Sequence, residues 1–250
     1  MPKRKNVYLP SALLVALFLI VWQALAMGMD AAYILPSPVQ VVLRLWALRG
    51  PLFTAHLPAT MSVTLIGLGF SLALGVALAL LMDASPTAEH ALYPLIVASQ
   101  TIPTTALAPL FVLWFGYTIW SKVLVTVLMT FFPVVITVFD GFRSVRTDMI
   151  DLMTTFGATR GQIFRKLKPP AALPYFFSAL KMAVPLSIIG AAIGEWLGAQ
   201  EGLGYFSRRM MTQLDGAGVF APILLLSLVA MALVGVVSLL EKRAVTWRGE

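Results

Sequence analysis

Long runs without a charged side chain alternate along this chain with short segments that collect charge, proline and glycine. Charge-free runs cover residues 6–29, 57–82, 91–121 and 219–240. Each exceeds the roughly 20 residues a helix needs to cross about 30 Å of hydrocarbon. Two further stretches are shorter or less clean: 123–139 is uncharged for 17 residues, and 175–198 admits Lys181 and Glu195. The pattern predicts an all-α, polytopic membrane protein of about six transmembrane helices. It forms a single unit over 1–250 with its core at 57–241. An even number of crossings places both ends of the chain on one face of the membrane.

Between the first two runs lies "YILPSPVQVVLRLWALRG", with Ser37 placed to cap, Pro38 in the first helical turn and Gly50 as a stop. Val39, Val42, Leu43 and Trp46 recur at i, i+3, i+4 and i+7, the spacing of one helix face. A short amphipathic helix over 36–50, at the outer interface, is the expectation. In the second run Gly67, Ser71 and Gly75 are four residues apart and clear one face for a close helix neighbour.

The run at 91–121 is interrupted by Pro94, Pro103 and Pro109, with Ser99, Gln100, Thr101, Thr104 and Thr105 among them. Each interior proline removes a backbone hydrogen bond, and the freed carbonyl needs protein or water as its partner. A broken, hydroxyl-rich helix therefore belongs against protein or a wet cavity. Gln100, Thr101, Thr104 and Thr105 are candidate residues of a translocation path, with Glu195 as a further one. The glycines Gly194, Gly198, Gly202 and Gly204 predict that the helix carrying Glu195 unwinds into a tight turn.

Composition narrows the function classes. The chain is 59% hydrophobic and 12% charged, with a mean hydropathy of +0.88. Soluble chains carry roughly 25% charged residues, so an ordinary soluble domain is excluded. There is no cysteine, and the two histidines, His56 and His90, are too far apart to suggest a metal site. The net charge of +7 does not point to nucleic acid, because its placement follows membrane topology. With both termini in the cytoplasm, 12 of the 18 lysines and arginines fall inside and five, Arg44, Arg49, Lys122, Arg208 and Arg209, outside. The first helix follows basic residues as a signal peptide does, but its apolar run is longer than a signal core, so a retained helix is expected.

The segment 141–174 keeps its charge in an organised frame. Residues 141–170 hold six basic and two acidic side chains. Thr147 and Asp148 start a short helix that runs to Phe156, and Gly157 supplies a left-handed stop. Thr159 and Gln162 form a capping box opening a second short helix, which Pro169 and Pro170 are expected to end. Ile163, Phe164 and Leu167 share one face. That stripe suits a groove on another protein, the membrane surface or the protein's own helices.

This loop resembles the "EAA" motif of ABC importer membrane subunits: Glu-Ala-Ala, three residues, Gly, nine residues, Ile, one residue, Leu-Pro. Gly157, Leu167 and Pro170 match at that spacing and Asp151 stands for the glutamate, while Leu152, Met153 and Pro169 depart from the pattern. The likeness extends to "LPSP", "SQTIPTTALAPLFVLWFG" and "GEWLGAQEGLGY". Together these resemble the binding-protein-dependent permeases for sulfonates, taurine, nitrate and thiamine-type pyrimidines, most of all those for hydroxymethylpyrimidine or riboflavin.

The resemblance implies a type I ABC importer permease fold in the bacterial inner membrane. It implies a cytoplasmic ATPase dimer, an external substrate-binding protein and a second permease copy as partners. ATPase coupling would fall to Asp151, Gly157, Ala158, Arg160, Ile163, Phe164, Leu167 and Pro170. The chain carries no "GxxxxGK[ST]" loop, so ATP and magnesium would be used by the partner ATPase, and no cofactor by this subunit. The rival reading is a secondary transporter driven by an ion gradient. No Ser/His, His/Glu or paired-Asp constellation points to an enzyme.

Overall fold

The computed structural model describes residues 9–29 and 31–247, and the described residues are helical with no strand. Lys3, Arg4, Lys5 and Arg248, which contribute to the expected charge asymmetry, lie outside them. In order, the helices are α1 (Leu9–Met29), α2 (Pro38–Ala47), the short α3 (Arg49–Pro51), α4 (Leu57–Ala84), α5 (Pro86–Ser99), α6 (Thr104–Phe115), α7 (Ile119–Arg143), α8 (Thr147–Thr155), α9 (Arg160–Gly198), α10 (Leu203–Thr212) and α11 (Gly216–Ala244). A π-helical turn, Leu52–His56, joins α3 to α4. Among the described residues five segments are long and apolar enough to cross a membrane, and a sixth if the bent pair α5 and α6 is counted as one span.

The core is built on α4, α7 and α9, with α7 in the middle. In lipid the hydrophobic effect does not favour one helix neighbour over the acyl chains, so close packing of small residues must hold the spans together. A Cβ added to Gly67 of α4 would lie 2.5 Å from Thr126 Cγ2, and one added to Gly75 would lie 2.5 Å from Val134 Cγ1. On the other side of α7, a Cβ on Gly190 of α9 would lie 2.8 Å from Thr126 Cα. Thr126 is thus pinched between two glycines on two helices. Between the glycines of α4, the Ser71 hydroxyl meets that of Thr130, and Thr130 also donates to the Thr126 carbonyl at 2.7 Å. Val134, Val135 and Phe139 continue the core towards the α8 end.

The region before α4 follows the sequence pattern at its start. Ser37 and Gln40 close a capping box around Pro38, and Val39, Val42, Leu43 and Trp46 are all exposed as one apolar stripe. α2 is tied to the turn before α11: Asp215 accepts from Arg44 Nε at 2.9 Å and caps α11 through Gly218 N at 2.8 Å. Gly50 is no stop. It sits inside α3, and the chain runs on helically from Arg49 to Ala84, because the Leu52 N–H reaches back to the Leu48 carbonyl and bridges the joint. α1 packs lightly, with Ala26 its one buried residue and the Trp22 ring 5.9 Å from that of Phe220 in α11.

Two further expectations need correction. Pro169 and Pro170 do not end a helix: α9 continues through them, and through Pro174 and Pro185, for 39 residues. The carbonyls freed by the first two prolines belong to Arg165 and Lys166, which are exposed. Exposed residues leave water available to those carbonyls, and packing against α7 carries the helix onward. Residues at both ends of 141–174 consequently belong to α7 and α9, leaving 144–159 as the loop proper. The glycines near the end of α9 also divide differently. Gly194 and Gly198 stay helical and press on Lys122 and Val112, and only Gly202 takes a positive φ, of 119°.

Candidate functional site

Three places gather the residues that the sequence singles out. The first is the loop at the start of α9. α8 ends at Phe156 in a full Schellman motif: Gly157 N donates to the Thr154 carbonyl at 2.9 Å and Ala158 N to that of Met153 at 3.0 Å. Gly157 has φ +77°, a left-handed conformation that side chains with a Cβ resist. Two residues on, Gln162 N donates to Thr159 Oγ1 at 3.3 Å and Thr159 N to Gln162 Oε1 at 2.8 Å, completing the expected capping box.

The apolar stripes of this loop point in opposite senses. Ile163, Phe164 and Leu167 are half-buried, and the Phe164 ring lies 6.2 Å from that of Phe142 in α7. The outward face is instead on α8, where Met149, Leu152 and Phe156 follow i, i+3 and i+7 and Phe156 is 82% exposed. Asp151, Gly157, Arg160 and Pro170 are exposed, and Ala158 half-buried. The sequence pattern missed Met149 and Phe156 as surface residues, although their spacing on a helix of nine residues was the available signal.

Behind the loop, Lys168 Nζ lies 2.6 and 2.8 Å from the two carboxylate oxygens of Asp83 at the end of α4. Asp83 is the more enclosed partner, its side chain 7% exposed. This ion pair roots the start of α9 on α4. Two exposed or half-buried pairs, Arg143 with Glu89 and Lys181 with Glu241, join other helices on the same side.

The second place is the break between α5 and α6, where the axes turn by 93°. It falls at 100–103, not at Pro94 or Pro109, which lie within helices. Pro103 pushes Ile102 away from helical geometry, while Ser99 and Thr101 hydroxyls take the carbonyls of Ile96 and Ala98 at 2.6 and 2.7 Å. Gln100, Thr101 and Thr105 are exposed and Thr104 half-exposed. Four polar side chains therefore open from the bend at the end of an apolar segment.

The third is the far end of α9, opposite the loop. α10 begins "GLG" with no Ser, Thr, Asp or Asn at its N-cap, so its first N–H groups need acceptors from elsewhere. Three helical segments supply them. Gly202 N donates to His56 Nδ1 at 3.1 Å, Leu203 N to Thr60 Oγ1 at 2.8 Å, and Gly204 N to Glu195 Oε2 at 2.8 Å. Accepting at Nδ1 places the imidazole proton of a neutral His56 on Nε2. Glu195 is 1% exposed, and its other oxygen has no hydrogen-bond partner among the described residues. His56 and Thr60 were not legible as site residues; the uncapped "GLG" start was the one signal available.

Residues 69–246 match the family of binding-protein-dependent transport system inner membrane components. The chain belongs to this family. It is a permease subunit of an ABC importer and not an enzyme, and the family implies a partner ATPase and a substrate-binding protein. The chain is 51% identical over 246 residues to the formylaminopyrimidine transport permease protein ThiX of Halalkalibacterium halodurans, covering 98% of each. It is 36% identical to the riboflavin transport system permease protein RibX of Chloroflexus aurantiacus, over 92% of this chain and 87% of that one. Sulfonate, taurine and nitrate permeases are further relatives, as the motifs suggested. The fold matches an inward-facing structure of the MetNI methionine ABC transporter with a TM-score of 0.64 at 18% identity, covering 82% of this chain and 97% of that one. The expected type I importer permease fold is thereby confirmed.

Proposed function

We propose that this permease carries a formylaminopyrimidine or a closely related thiamine-precursor pyrimidine inward. The observation that carries the cargo is the near full-length likeness to the formylaminopyrimidine permease. An external binding protein delivers the pyrimidine, and a cytoplasmic ATPase dimer supplies the energy through ATP and magnesium. Two copies of this chain form the path.

The α8 loop lies in the cytoplasm, and the start of α1 and the end of α11 lie on that same side. Among the described residues, Arg143, Arg146, Arg160, Arg165, Lys166, Lys168, Lys242 and Arg243 support this orientation. The ATPase groove takes Met149, Leu152 and Phe156 with Asp151, Gly157, Ala158 and Arg160 around them. Ile163, Phe164, Leu167 and Pro170 carry the docked loop's movement into the bundle. Gln100, Thr101, Thr104 and Thr105 line the path where α5 and α6 part, since polar groups at a helix break need water or protein around them. Glu195 shapes the path from behind, through α10.

Proteoliposomes holding the permease, its ATPase and its binding protein test this. ATP-dependent uptake of labelled formylaminopyrimidine is the expected result. ATP-dependent uptake of taurine or nitrate in its place would overturn the cargo. Uptake that survives without ATP and collapses with an ion gradient would overturn the coupling.

A further inference from the structure

The α10 end of the molecule holds a buried polar cluster, of which the proposed path uses Glu195 alone and leaves His56 and Thr60 unassigned. Three successive N–H groups at the start of α10 are each received by a side chain from a different segment: His56 from the π-helical turn, Thr60 from α4 and Glu195 from α9. α10 is thereby drawn down between the spans, and Leu203, Phe206 and Met210 close over Leu52 and Leu225. The His56 ring lies against Phe206 with centroids 4.9 Å apart.

The seating is deep because of two glycines. A Cβ on Gly202 would overlap the Glu195 carboxylate, and one on Gly204 would overlap the Ala192 backbone. Such an arrangement is specific, yet it is held by side chains and not by a helical ladder. One carboxylate oxygen of Glu195 is buried without a partner among the described residues, and burying an unpaired polar atom is costly. Opening to water would relieve that cost while the three N–H groups exchange their acceptors for solvent. The cluster is thus a place where opening to water has a polar atom to satisfy.

Resting on the importer reading above, we propose that His56, Thr60 and Glu195 are positioning residues of an outer latch. They hold α10 over the outer ends of α4 and α9, and they release it when the complex opens outward. The permease carries the latch within one chain. Movement entering at α8 reaches it along α9, which ends three residues after Glu195.

The absence of cysteine from the chain makes a direct test clean. A Thr60→Cys, Leu203→Cys pair is oxidised directly to a disulfide in the reconstituted complex, and ATP hydrolysis is measured with loaded binding protein. Bridging is expected to lower the stimulated rate by about tenfold or more, and reductant to restore it. A second variant, Thr60→Val, is expected to raise hydrolysis in the absence of binding protein by about fivefold, the size of a lost coupling contact. Thr60→Ser, which keeps the acceptor, is expected to return it to the parent rate, which mere loosening of the fold would not do. A bridged complex that hydrolyses like the reduced one, or a Thr60→Val complex with the parent's basal rate, overturns the latch. A parent complex that shows no stimulation by any binding protein would overturn the importer reading instead.

Discussion

Lys168 and Asp83, 85 residues apart, meet in a two-pronged ion pair that fixes the first turns of α9 to the end of α4. Lys168 is also the residue between Leu167 and Pro169 in the segment that resembles the EAA motif, so the place where that segment meets the bundle is an electrostatic joint. Lys168→Met leaves Asp83, with its side chain 7% exposed, without its cation. The expected cost is about 3 kcal/mol, the bottom of the range for breaking a buried pair, because Lys168 is itself partly exposed. Asp83→Asn combined with Lys168→Gln is expected to recover more than half of that. Thermal unfolding of the purified permease, arranged as a double-mutant cycle, checks both values.

Gly157→Val tests the Schellman stop. At φ +77° a β-branched residue is strained by about 1–2 kcal/mol, and nothing else lies within 4 Å of the added Cβ. The permease is therefore expected to reach the membrane at near-normal levels while the angle between α8 and α9 changes. Co-purification of the ATPase is the measurement. An undiminished yield would show that docking does not depend on this turn.

Phe156→Ala removes the most exposed large side chain of the loop. If it fills a pocket on the ATPase, the loss is about 2 kcal/mol, roughly 30-fold in affinity. Because Phe156 is 82% exposed, the stability of the permease alone is expected to stay within about 0.5 kcal/mol of the parent. Titrating detergent-solubilised permease with the isolated ATPase, next to a thermal melt, separates the two effects.

Two glycines on one helix give an internal control. Gly75→Leu drives a side chain into Val134 from 2.5 Å, whereas at Gly69 an added Cβ meets nothing within 4 Å. The first is expected to destabilise by more than about 3 kcal/mol through overpacking. Gly69→Ala is expected to be neutral or slightly stabilising, by up to about 1 kcal/mol, because alanine favours the helix. Membrane yield and melting temperature of the two variants, compared directly, decide this.

Much of the fold was legible because apolar length and cap chemistry are local. Thr159 with Gln162, Ser37 with Gln40 and the stop at Gly157 each act within a few residues, and each is where the pattern placed it. The small face Gly67, Ser71, Gly75 also announced a close neighbour. What was not legible depends on tertiary partners. Pro169 and Pro170 read as a helix end because a sequence cannot show that the carbonyls they free stay in water while α7 supports the rest. Ile163, Phe164 and Leu167 were legible as one face but not its direction, because periodicity marks a face without saying whether a partner, the membrane or the protein's own α7 covers it. His56 and Thr60 join Glu195 around α10 across more than 130 residues, as the separations of their bonds show. No local pattern encodes such a cluster.

The four prolines of α9 have a mechanical consequence. At each one the helix already lacks a backbone hydrogen bond, so flexing there breaks none. Pro169, Pro170 and Pro174 gather near the α8 end, and Pro185 lies between them and Glu195. α9 is thus less a rigid piston than a shaft with compliant joints at chosen heights. A push applied at the α8 end would be taken up partly as bending at those joints before it reached the turn that follows Glu195.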